Sequence, residues 1–152
     1  MAYTDAEARQ ELLDTLAEAV DPIALALACL GEAYEQVDEQ TADRLETELF
    51  RPVQAAYGRA QRVHAEFADR YGLPGRTFEP QSPGIPSQGA KAFVERAVEA
   101  AGQADHMIAE LQDSMKPVEV GDQQLRAGLM DVRERLGDVR LRARELLRTL
   151  GR

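Results

Sequence analysis

At 152 residues the chain is long enough to bury one continuous core and short for two ordinary domains. Its net charge of −9 opposes attraction to nucleic-acid phosphates and to anionic lipid, so neither nucleic acid nor a membrane surface is expected as a partner. A single cysteine, Cys29, excludes an internal disulfide and a cysteine-built zinc cluster. With no basic segment leading into an apolar one at the start, and no apolar run of about 18 residues, the expectation is a cytoplasmic protein.

Tryptophan is absent, and alanine, leucine, glutamate, glutamine and arginine dominate. These residues lose little side-chain freedom in a helix, which points to an all-α chain. The first predicted helix spans 4–37. Thr4 and Glu7 form a capping box at its start, and Leu12, Leu16, Val20, Ile23, Leu27, Leu30, Tyr34 and Val37 form one apolar stripe. Pro22 lies within it and predicts a kink. Nothing between Gly31 and Pro52 is a strong helix breaker, but Asp38 and Thr41 can cap, so a turn is placed near 37–40. The rival reading, one helix from Pro22 to Phe50, gives segments of badly mismatched length.

The second predicted helix, 39–72, carries Leu45, Leu49, Val53, Ala56, Ala60, Val63, Phe67 and Tyr71 and should kink at Pro52. Residues 73–87 hold four prolines and two glycines and read as a long loop. The third helix, 87–116, packs through Phe93, Ala97, Ala100, Ala104, Met107, Leu111 and Met115, with Val94, Val98 and Ile108 on the adjoining edge. After a tight connection, Asp122 caps the fourth, 122–150, whose stripe is Leu125, Leu129, Val132, Leu136, Val139, Leu146 and Leu150. Four stripes of similar length predict a single up-and-down antiparallel four-helix bundle. Gly58, Gly102, Gly128 and Gly137 are places where its helices could approach closely.

Chemistry is sparse. Gln61 and Gln103 stand three residues before His64 and His106, where a di-iron bundle needs glutamates, and no H-E-x-x-H occurs. Nucleotide-binding and hydrolase fingerprints are missing too. No catalytic residue, metal ligand or cofactor is expected, and the chain reads as a non-enzyme.

Three arrangements stand out. Tyr57, His64 and Tyr71, spaced by seven, share one polar-tipped stripe that either lines a ligand cleft or buries its rings at the core boundary. Residues 122–152 hold eight arginines against five acids, whereas residues 1–50 hold 13 acids against two arginines. That contrast favours the last helix lying beside the first; the other reading is an arginine flank (Arg126, Arg133, Arg140, Arg144, Arg148) for a nucleoprotein. In the first helix the polar face lapses at Pro22, Leu25 and Cys29. Either the 73–87 loop, anchored by Phe78, covers them, or a partner protein or second copy does. The functional expectation is protein–protein interaction or scaffolding, with a small-ligand-binding or enzymatic bundle, its cleft near Tyr57, His64 and Tyr71, as the alternative.

Overall fold

The computed structural model describes residues 5–150, all of whose regular structure is helical. The capping box at Thr4 lies outside the described residues. Helix α1 runs unbroken through Asp5–Glu35, with Pro22 inside it. The chain then turns at 36–38, and Asp38 caps α2 (Glu39–Leu45) by accepting the Thr41 N–H at 2.7 Å. A π turn, Glu46–Phe50, leads into α3 (Arg51–Arg70).

This π turn adapts the helix to Pro52. The Arg51 N–H reaches back five residues to the Glu46 carbonyl. The Glu48 carbonyl, which an ordinary helix would pair with the N–H that Pro52 lacks, accepts from Arg142 at 3.5 Å.

Loop residues 73–85 carry no regular structure, and a 3₁₀ turn, Pro86–Gln88, follows. Gly89, at φ 89°, separates that turn from α4 (Ala90–Asp113). The third helix thus starts later than expected and also stops earlier. Met115, in the left-handed region at φ 66°, breaks the chain before a short α5 (Lys116–Val120). Met115 was expected in the core stripe; with the helix already ended, its side chain is exposed and Ile108 is fully buried instead.

Asp122 caps α6 (Gln123–Gly137) by accepting the Leu125 N–H at 2.7 Å. The expected fourth helix is interrupted at Asp138, and α7 (Val139–Leu150) completes it. Gly137 supplies the weak point, since glycine costs about 1 kcal/mol in helix propensity.

The core is continuous. Along α1, Leu12, Leu16, Val20, Ile23 and Leu30 are buried, and they join Val53, Phe67, Phe93, Ile108, Leu129 and Leu146 from the other helices. Helix α1 packs along α4 and α3, α3 lies against α6, and α4 also meets α6 and α7. The basic α6–α7 segment therefore leans on α3 and α4, not on acidic α1 as the charges suggested. Ion pairs join them: Arg59 of α3 pairs with Asp131 of α6 at 2.9 Å, and Arg133 of α6 pairs with Asp105 of α4 at 3.0 Å. Of the four glycines expected at close approaches, Gly128 is the tight one, where a methyl group would overlap the Val63 side chain. Nothing crowds Gly58 or Gly137.

Candidate interaction surface

The stripe of Tyr57, His64 and Tyr71 does face one side of α3, but each ring is already engaged. His64 is only 3% exposed, and Phe78 of the loop meets it edge-on, with centroids 5.1 Å apart. Arg76 in turn lies over the Phe78 ring at 4.8 Å and pairs with Asp21 at 3.2 Å, pinning the loop to α1. Burial, aided by the Arg76 charge and opposed by Asp14, holds the His64 pKa below its ordinary value.

Tyr71 donates its hydroxyl to Asp122 at 2.9 Å, and its ring lies under the Arg9 guanidinium at 4.4 Å. Tyr57 is half-buried, and its phenol is pushed up by burial and by the Asp21 and Glu79 carboxylates. The three residues are therefore brought to one face, with Phe78 seated against the central one.

The lapse in the polar face of α1 has its cover inside the chain for Cys29, which is fully buried. Burial raises its thiol pKa, against a smaller opposing effect from Arg96. Arg96 itself donates to the Pro83 carbonyl and to Gln88, so the loop is tied across this part of the molecule. Pro22 and Leu25 are half-buried, and Leu25 packs on the core. Among the described residues, no group of His, Cys, Asp or Glu side chains is placed to hold a metal ion, and no helix is long and apolar enough to cross a membrane.

Elsewhere the start of α6 is polar, buried and paired. Asp122 is 6% exposed and receives Arg70 through two bonds, at 3.0 and 2.8 Å, besides Tyr71 and the Leu125 amide. Burial would raise its pKa, but the amide, phenol and guanidinium donors outweigh it and hold the carboxyl below the usual range. This carboxylate stitches the end of α3 to the start of α6.

Four residues further along, the opposite situation holds. The Arg126 side chain makes no ion pair or hydrogen bond among the described residues, and its Nε is shut off from water without an acceptor. It lines a hollow of about 520 Å³ whose other walls are Gln112, Pro117, Val118, Gln123, Ala127, Leu129 and Met130. Met130 is 65% exposed and Val118 45%, and Met115, at 51%, stands on the same corner between α4 and α5. Two large apolar side chains open to water beside a guanidinium without a partner among the described residues make this the candidate interaction surface.

Neither the family models, the curated proteins nor the solved structures compared with the chain include a match.

The surface was not picked out from the sequence, although a signal for it exists. Met130 follows Leu129 and falls off the stripe of Leu125, Leu129, Val132 and Leu136, just as Leu25 and Cys29 fall off the stripe of α1. Val118 sits within the connection that was read only as a turn.

Proposed function

We propose that the protein is a non-catalytic helical interaction module of the cytoplasm, which binds another protein through the α5–α6 corner. The observation that carries this reading is the exposure of Val118 and Met130 in the hollow that Arg126 lines. Methionine adapts its shape to a partner, and methionine and arginine are enriched in the cores of protein interfaces. The scaffold is read as an up-and-down antiparallel four-helix bundle: α1, the α2–α3 segment, α4 and the α6–α7 segment as its bars, the first two bent at Pro22 and Pro52. The ring of contacts α1–α3, α3–α6, α6–α4 and α4–α1 supports that arrangement, as does Arg9 near the start of α1 lying over Tyr71 at the end of α3.

The test compares proteins recovered from cells by the wild type and by a Val118→Glu/Met130→Glu variant. Both positions are exposed, so the variant should keep its melting temperature and lose a specific partner. Recovery of the same proteins by both forms would rule out this corner as the binding surface.

A further inference from the structure

The hollow at the α5–α6 corner also constrains what it binds, and this step rests on the interaction reading above. Its one charged lining residue is Arg126, and the remaining lining is apolar or neutral. Every other feature of that guanidinium's surroundings leaves it wanting an acceptor. Arg133, seven residues on, takes Asp105 at 3.0 Å and Gln112 at 2.8 Å. Arg70 takes Asp122. Among the described residues Arg126 forms no ion pair, and its enclosed Nε has no acceptor.

We propose that this hollow docks an acidic, apolar segment of another protein, with a carboxylate on Arg126 and an apolar side chain among Pro117, Val118 and Met130. A carboxylate matches the planar guanidinium with two parallel bonds, and it draws the half-buried side chain outward so that Nε gains the acceptor it lacks. The apolar rim then excludes water from the pair and strengthens it.

A second copy of this chain fits the hollow less well. Pairing the surface with itself across a two-fold axis would set two Arg126 guanidinium groups in one apolar interface, with no acid in either lining. The chain from 122 to 152 is locally basic, with eight arginines against five acids, and charges beyond about 8 Å are screened at physiological salt.

The experiment is a selection of the folded full chain against a displayed library of random 16-residue peptides, followed by affinities of the enriched peptides made by synthesis. The expected result is a set in which Asp or Glu stands beside Leu, Met or Phe. Affinity should fall at least tenfold with Arg126→Gln, with Met130→Glu, and with the peptide acid replaced by its amide. Peptides without an acid that still lose binding with Met130→Glu would overturn the carboxylate pairing and leave the interaction surface standing. Peptides insensitive to both variants, or none selected at all, would overturn both. A wild-type dimer in sedimentation that Met130→Glu makes monomeric would replace the acidic partner with a second copy.

Discussion

The two edges of α6 carry similar chemistry and treat it in opposite ways. On the edge facing α3, Asp122 meets Arg70 and Tyr71, Gly128 accepts the Val63 side chain, and Asp131 meets Arg59, so these charged groups are matched across the seam. On the edge facing α4 and α5, Arg133 is matched, but Arg126 and Met130 are left facing an open hollow. The closed edge is tied by ion pairs and a helix cap, and the open edge leaves one guanidinium unmatched among the described residues.

The strongest way to break the closed edge is Asp122→Ala. It removes the cap of α6 and strands the Arg70 guanidinium and the Tyr71 hydroxyl at once. A cap contributes about 1 kcal/mol and a half-buried ion pair broken on one side somewhat more, so a loss of about 2–4 kcal/mol is expected in urea unfolding. Asp122→Asn keeps an acceptor for the Leu125 amide and should lose about half as much. Equal losses from the two variants would mean that the cap contributes little.

Gly128→Ala tests the packing on the same edge. Alanine gains about 1 kcal/mol in helix propensity, and overpacking against Val63 costs about 1–3 kcal/mol, so a net loss of about 1 kcal/mol is expected. Val63→Ala in the same chain should recover most of it by opening the space. Additive effects of the two changes would show that the helices do not meet there.

The far side of α3 offers a comparison by pH. His64 is closed in by Phe78 and is depressed in the folded state relative to its ordinary value near 6.5. The unfolded chain therefore binds the proton first on acidification. The stability that rests on neutral His64 is complete above about pH 6.5 and is lost as pH falls below it. His64→Gln should flatten the fall in melting temperature between about pH 6.5 and 5, where carboxylates contribute less. A wild-type profile already flat over that range would show that the loop does not seal the ring.

The stripes, the loop, and the Asp122 cap were all readable from residue spacing, because a period near 3.6 reports which side of a helix is apolar and a cap has a local signature. Spacing does not report which helix lies opposite. That is why the acidic α1 was expected beside the basic last segment, when α3 and α4 supply Asp131's and Arg133's partners instead. The break at Asp138 was missed because Gly137 lowers helix propensity by only about 1 kcal/mol and is no strong breaker. The role of Tyr57, His64 and Tyr71 turned on Phe78, a loop residue 14 positions beyond His64, whose docking no periodicity describes.

The smallest expected effect separates the two edges most cleanly. Arg126→Met and Arg70→Met remove the same charge and leave similar apolar stems. At position 70 the change abandons the buried carboxylate of Asp122, which keeps only Tyr71 and the Leu125 amide, and a loss of about 1–3 kcal/mol follows. At position 126 it abandons nothing, because no acceptor faced the guanidinium, and it removes an enclosed donor that had no partner. Replacing such a donor by an apolar group of similar length is neutral or slightly stabilising, within about 0.5 kcal/mol. Urea midpoints of the two variants, measured beside the wild type, make the comparison directly. A loss at position 126 comparable to that at position 70 would mean that Arg126 is matched within the folded chain, and the hollow would lose its claim to a carboxylate from outside.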